Sequence, residues 1–344
     1  MTPRVSAARA AAPPPRPMEL RPLGRGGPLV SRLGLGLAAL GRPAYHTLGH
    51  DADFPEGRAP EQLERRTHAV LDAAVAAGVR YVDAARSYGR AEAFLRSWLE
   101  RRGARRGEPV VGSKWGYRYV GEWRLDAERH EVKDHSLAGL RAQEAESLAL
   151  LGPWLSLYQV HSATPESAVL ADDAVLDELA RLRDRGIRIG VTVSGPSQAD
   201  VVRRALAITR GGAPLFDAIQ ATWNVLERSV GPALQEAHDA GRGVILKEPL
   251  ANGRLGPRGD AAAEGPLAEA VRETGYAPDA LALAAAVAQP WADVVLLGAV
   301  TVEQLHSNLG ALALTPGGGE LAALSGLREP PEAYWRRRAT LVWR

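Results

Sequence analysis

From residue 30 onward the chain alternates between short apolar runs rich in β-branched residues and longer stretches whose apolar positions recur at helical spacing. That alternation predicts βα units around a parallel sheet. Eight runs read as strands: SRLGLG (31–36), VRYVDAA (79–85), PVVGSKW (109–115), LSLYQVH (155–161), IRIGVTVS (187–194), FDAIQATW (216–223), GVILKEP (243–249) and DVVLLGA (293–299). Helices are expected over 61–78, 90–103, 134–151, 172–186, 197–209, 231–242, 278–289 and 301–312. In the first of these, Leu63, Ala69, Val70, Ala73, Ala74 and Ala77 share one face, and Gly78 supplies the stop. Eight strands with eight helices predict an α/β fold, a closed (β/α)8 TIM barrel rather than an open doubly wound sheet. Two long connections fall outside the repeat: an aromatic-rich one over 115–134 and a Gly- and Pro-rich one over 250–277. On the active face, loops of this length usually bind or cover substrate.

The reactive side chains follow the same register. Asp83, Lys114, His161, Gln220 and Lys247 all lie at or near the C-terminal ends of their predicted strands. In a (β/α)8 barrel those ends meet on one face, so residues far apart in sequence become neighbours there.

Composition narrows the chemistry. Of 344 residues, 46% are hydrophobic, enough to bury a large core, and 42 basic against 40 acidic side chains leave a formal charge of only +2. So small an excess argues against nucleic acid or a membrane surface as partner. The chain has no cysteine, which excludes disulfides, thiolate metal sites, cysteine nucleophiles and iron–sulfur clusters, and redox chemistry then needs an added cofactor. No metal-ligand cluster is visible, and no apolar run reaches the roughly 18 residues a membrane-spanning helix requires. Residues 1–17 lack the apolar core of a signal peptide, and Pro13, Pro14 and Pro15 would break a helix. They are expected to form a disordered tail before a single barrel domain over 18–344, with Met18 a candidate functional start and the cytoplasm the default location. Only three of the 42 basic residues are lysines, Lys114, Lys133 and Lys247. Where arginine is written for generic charge, a retained lysine points to a need for a compact, tunable amine.

The most informative string is VRYVDAARSYGRAEAFL. It resembles the aldo-keto reductase signature D-x-A-x-x-Y-G-x-x-E through Asp83, Ala85, Tyr88, Gly89 and Glu92. VVGSKWG resembles that family's lysine strand and LYQVHS its histidine strand, so the resemblance implies a catalytic tetrad of Asp83, Tyr88, Lys114 and His161. It extends over roughly 18–315, through IRIGVTVSG, QATWN, PLANGRL and GAVTVEQLHSNLGAL.

Carbonyl reduction needs a hydride at carbon and a proton at oxygen, and a free phenol, with a pKa about 10, is a weak acid for that task. The expectation is that the Lys114 ammonium lowers the Tyr88 pKa, that Asp83 holds Lys114 charged, and that His161 donates an N–H to the carbonyl oxygen. Glu92 is expected at a helix N-terminus or in loop packing.

The family resemblance further implies a nicotinamide dinucleotide across the C-terminal face, contacted by Gly36, Thr192, Gln220, Lys247, Pro249, Leu250, Gly298, Thr301, Gln304 and Asn308. The pattern Gly34, Gly36, Ala39 fits a loose Rossmann motif, but Gly41 and Pro43 follow within one turn and leave no helix for it to open. Several positions depart from the family, Thr192 standing where Ser is usual. Val193 stands where an asparagine is usual, Val300 and Ser307 where many members have Ser and Glu, and Lys247 where an aromatic often stacks on nicotinamide. Gln304 replaces an arginine that in some members grips a 2′-phosphate, so NADP and NAD both stay open, with family frequency favouring NADP. Lys247 is expected to pair with cofactor pyrophosphate, with an acidic substrate, or with Glu248 or Asp83. Trp115, Trp123 and Trp223 are candidates for lining the substrate pocket.

The function expected is NAD(P)H-dependent reduction of an aldehyde or ketone, with Tyr88 as general acid and a small-molecule carbonyl or alcohol as partner. An NAD-dependent sugar or alcohol dehydrogenase on the same tetrad, and a cofactor-sensing regulatory subunit, are the alternatives. The C-terminal PPEAYWRRRATLVWR either docks over the barrel or serves as an interaction tail, and the oligomeric state is open.

Overall fold

The computed structural model describes residues 18–314 and 324–344; the expected tail over 1–17 lies outside them. Eight parallel strands close into a barrel in chain order: β1 (Leu33–Gly36), β2 (Tyr81–Asp83), β3 (Val110–Trp115), β4 (Leu155–Ala163), β5 (Arg188–Val193), β6 (Ala218–Thr222), β7 (Gly243–Lys247) and β8 (Val294–Leu297). The last pairs back to the first through Val295 against Leu33 and Leu297 against Leu35. Seven of the eight are shorter than the apolar runs that predict them. The surplus residues, such as Ala84, Ala85, Phe216 and Trp223, are buried under loops instead of lying in the ladder.

Around the strands run α1 (Pro60–Ala76), α2 (Ala91–Arg101), α3 (Leu137–Leu151), α4 (Asp173–Asp184), α5 (Gln198–Leu206), α6 (Gly231–Asp239), α7 (Pro278–Val287) and α8 (Val302–Leu309). Their starts follow capping chemistry. Ser136 accepts from Gly139 N, Asp172 from Val175 N and Thr301 from Gln304 N, each satisfying an amide that the first turn leaves without a partner. The face of α4 that packs on the barrel is Val175, Leu176, Leu179 and Leu182, all buried at helical spacing.

The two ends of the barrel differ. At the N-terminal end, Leu20–Pro22 pairs antiparallel with Leu29–Ser31, a hairpin the sequence reading did not place. Its turn drives Leu23, 1% exposed, into a plug with Tyr81, Val110, Leu157, Ala218, Ile245 and Val294. The opposite end carries the long connections, and neither is plain loop. The 115–134 segment folds a small hairpin, Tyr117–Tyr119 against Glu131–Lys133. The 250–277 segment contains the short helices Asp260–Ala263 and Pro266–Thr274. The C-terminal helix Pro331–Ala339 docks over the barrel, sinking Tyr334 and Trp335 into a cluster with Val225, Leu255 and Leu281.

Glu92 has a more specific role than expected. Its side chain is 1% exposed, and it accepts from Arg86 (2.6 Å), from Ser113 of β3 (2.5 Å) and from Ser147 of α3 (2.7 Å). It therefore ties α2 to the strand and helix beside it. Replacing it with alanine takes this acceptor from two buried hydroxyls and leaves Arg86 with Glu146 alone, and Glu92→Ala should lower unfolding free energy by about 1–3 kcal/mol, read from denaturant midpoints. A change below 1 kcal/mol would remove it from the framework.

Candidate active site

The polar layer beneath the open end is built on one carboxylate. Asp83 ends β2, and its Oδ1 accepts from Tyr81 Oη (3.2 Å), Gln159 Nε2 (3.2 Å) and Gln220 Nε2 (3.3 Å). Gly112 on the neighbouring strand makes this possible, since a Cβ there would lie 2.3 Å from Tyr81 Oη. The other oxygen, Oδ2, takes Lys114 Nζ in an ion pair whose members are 2% and 1% exposed. A pair this dry holds only because its other hydrogen-bonding capacity is met as well. Lys114 Nζ also donates to the Ala84 carbonyl (3.0 Å) and to Tyr88 Oη (3.3 Å), so its three N–H donors have three acceptors.

Tyr88 and His161 complete the group. Their rings meet edge to face at 5.5 Å, and His161 Nδ1 lies 3.4 Å from Ser87 Oγ. Burial holds the imidazole well below its ordinary pKa of 6.5, and the charges of Lys114, Lys247 and Arg42 add to the effect. It is therefore a neutral ring. The residue after it, Ser162, is left-handed (φ 54°), and its N–H is held by Thr192 Oγ1 at 2.6 Å. Thr192 is thus a support for the strand bend behind His161 and not part of the cavity wall.

The expected acidification of Tyr88 needs correcting. Burial pushes the phenol well above 10, Asp83 pushes the same way, and Arg42 opposes them. The physical reason is first the burial of the phenol, which disfavours phenolate, and then the Asp83 carboxylate, which accompanies the ammonium expected to favour it. Tyr88 keeps its proton at neutral pH, with Lys114 Nζ already donating to its oxygen.

These residues open on a cavity of about 280 Å³ at the C-terminal end of the barrel. Asp83, Tyr88, His161, Gln220, Lys247, Gly36, Pro249, Leu250, Gly298, Gln304 and Asn308 reach its wall, so most sequence-predicted positions come together there. Lys114 stands just behind. Four predicted contacts besides Thr192 do not reach it. Thr301 faces away as the cap of α8. Trp115 is fully buried, Trp123 donates to the Arg58 carbonyl (2.8 Å) beside Phe94, and Trp223 packs edge to face on Trp291. All three tryptophans serve as packing because each has a large apolar partner surface behind the loops.

The wall also holds residues that the sequence reading missed. Arg42, 2% exposed, donates to the Ser87 carbonyl (3.0 Å) and Glu131 (2.9 Å) and lies over the rings of Tyr45, Tyr88 and Trp343 at 5.0, 5.2 and 4.5 Å. Tyr45 and Arg344 exchange backbone hydrogen bonds, which straps the last residues across this side, and Trp343 stacks on His130 at 4.7 Å. Among 39 arginines nothing marked Arg42, and the strap joins segments some 300 positions apart, which local patterns do not record.

A closed parallel barrel whose C-terminal mouth gathers Asp, Tyr, Lys and His defines a class of barrel oxidoreductase. The aldo/keto reductase family model matches residues 32–317, and the chain belongs to that family. Protein tas of Escherichia coli (strain K12) and that of Shigella flexneri are each 25% identical over 321 residues, covering 78% of this chain and 91% of theirs. In fold, the chain is similar to aldo-keto reductase AKR11C1 from Bacillus halodurans, solved in its holo form, with a TM-score of 0.69 at 22% identity over 91% of this chain and 97% of that one. Family membership implies NAD(P)H-dependent carbonyl reduction.

Proposed function

We propose that this cavity reduces an aldehyde or ketone to the alcohol with NADPH or NADH, with Tyr88 as the proton donor. The observation that supports it most directly is Lys114 Nζ bridging Asp83 and Tyr88 Oη, with the neutral His161 beside them on the same wall. A nicotinamide dinucleotide, when bound, supplies the hydride.

The wall fits such a molecule. A Cβ on Gly298 would meet no protein atom within 4 Å, so that backbone lies open to a ligand. The buried Asn252 Oδ1 and Asp279 Oδ1 on the wall have no hydrogen-bond partner and suit ribose hydroxyl or amino donors. Gln220, Pro249, Leu250, Gly298 and Asn308 would hold it. Gln304 Oε1 is turned onto Val300 N (2.9 Å) and brings no positive charge for a 2′-phosphate.

The chain's own residues then do the rest. His161 Nε2–H orients the carbonyl oxygen and stabilises the negative charge that grows on it. Tyr88 Oη delivers its proton to that oxygen, and Lys114, already in hydrogen-bond contact, stabilises the phenolate left behind. Asp83 keeps Lys114 charged and in place.

The test is absorbance at 340 nm with purified protein, NADPH or NADH, and a panel of aldehydes, and in reverse with alcohols and the oxidised dinucleotides. Turnover with either couple is expected; failure to bind both would sink the reading. A neutral His161 also predicts that kcat/KM has no acid limb near pH 6.5. Such a limb in the wild type, lost in His161→Gln, would show that the ring titrates after all.

A further inference from the structure

The cations on the cavity wall are not all paired with a carboxylate. Arg42 is paired with Glu131 (2.9 Å), Arg258 with Asp53 (2.6 Å) and Arg338 with Glu248, while Asp83 has Lys114 behind it. Lys247 is the exception: among the described residues no carboxylate lies within 4.0 Å of its ammonium, although Glu248 is its neighbour in sequence. The hydrogen-bond directions explain why. Lys247 Nζ donates to Thr222 Oγ1 (2.7 Å), Thr222 in turn donates to Glu248 Oε2 (3.2 Å), and the Glu248 charge is taken up by Arg338 from the C-terminal helix. Glu248 is held for this in a left-handed conformation (φ 54°), which costs a residue with a side chain about 1–3 kcal/mol.

Two of the three N–H donors of Lys247 are thus spent on neutral hydroxyls, Thr222 and Ser194 (3.1 Å), and the third has no protein acceptor among the described residues. A partly buried cation with an unspent donor on a cavity wall calls for an anion from outside the chain. Its position indicates which end of a ligand brings that anion. Thr222 ends β6 and Ser194 directly follows β5, and Ser194 Oγ lies 3.1 Å from Ser162 Oγ, directly after His161. The ammonium therefore leans toward the proton-transfer side and away from the Gly298–Gln304 turn that follows β8.

We propose that Lys247 is an anion subsite for the substrate, and that the preferred substrates are carbonyl compounds carrying a carboxylate. This deepens the carbonyl-reduction reading and rests on it. Burial brings the ammonium down to about 8, with Glu248 raising it and Arg338 and Lys114 lowering it, so it is still charged at neutral pH. A bound carboxylate would favour the charged form further.

The experiment compares 4-formylbenzoate with its methyl ester, and 4-oxobutanoate with its methyl ester. It reads kcat/KM, and also Kd by calorimetry with oxidised dinucleotide present so that nothing is reduced. The wild type should favour each acid over its ester by about ten- to a hundredfold, the range of hydrogen bonds to charged groups. Most of that preference should appear in KM. In Lys247→Met the acid-to-ester ratio should fall toward one, and Lys247→Arg should keep part of it. A wild-type ratio at or below one overturns the proposal whatever the variants do. So does a Lys247→Met protein that keeps the ratio and loses dinucleotide affinity instead, which would give the anion to the cofactor. Esters turned over without preference for the acids remove the subsite alone, whereas acids that bind preferentially with no aldehyde reduced support the subsite and remove the carbonyl-reduction reading.

Discussion

Tyr88→Phe should bind dinucleotide as the wild type does and lose carbonyl reduction by about 10²–10⁴-fold, the contribution of a positioned general acid. The substitution deletes one oxygen and leaves the ring against His161, where the two now meet edge to face. What disappears is the proton and the single contact through which Lys114 reaches the reacting oxygen. Cofactor affinity by quenching of tryptophan fluorescence and turnover at 340 nm separate the two effects. Unchanged turnover would remove Tyr88 from the chemistry. Equal losses of binding and turnover would make it part of the wall rather than the acid.

The second large effect belongs to Lys114. The change Lys114→Arg keeps the charge, yet it should cost at least about two orders of magnitude in kcat by the same general-acid scale and also destabilise the fold. The ammonium is 1% exposed, with its three donors aimed at Asp83, the Ala84 carbonyl and Tyr88 Oη. A planar guanidinium presents its donors in a fork that cannot address three acceptors around one nitrogen. Its extra volume in a closed space should lower unfolding free energy by about 1–3 kcal/mol. Together the variants are diagnostic: Tyr88→Phe falls in rate alone, while Lys114→Arg falls in rate and denaturant midpoint. A Lys114→Arg enzyme with wild-type turnover would show that charge alone suffices.

The barrel was legible because each βα unit writes its own period. Val110, Val111 and Trp115 fill a strand, and Val175, Leu176, Leu179 and Leu182 fill a helix face, without reference to anything distant. The convergence of Asp83, Lys114 and His161 was legible for a related reason, since strand ends fix where they meet. The mouth of the cavity was not. Arg42, Tyr45, Glu248 and Arg338 acquire their roles from pairings between the first loop, the seventh and the C-terminal helix, and no local spacing encodes those. The tryptophans misled for the opposite reason: a large apolar ring with one polar atom suits a pocket wall and loop packing equally, and only the tertiary neighbours decide. The phenol's acidity is not legible in the motif, because burial, with the Asp83 carboxylate behind it, sets it and a spacing pattern records neither.

The acceptors and donors around Asp83 carry a consequence for how the protein fails. Tyr81, Gln159 and Gln220, which fix one oxygen of that carboxylate, come from β2, β4 and β6, three staves spaced around the cylinder. The lysine's aim is therefore set by the completed ring and by no smaller piece of it. Heat or denaturant that parts any seam between staves releases this clasp, so activity and the cylinder itself should vanish in one step.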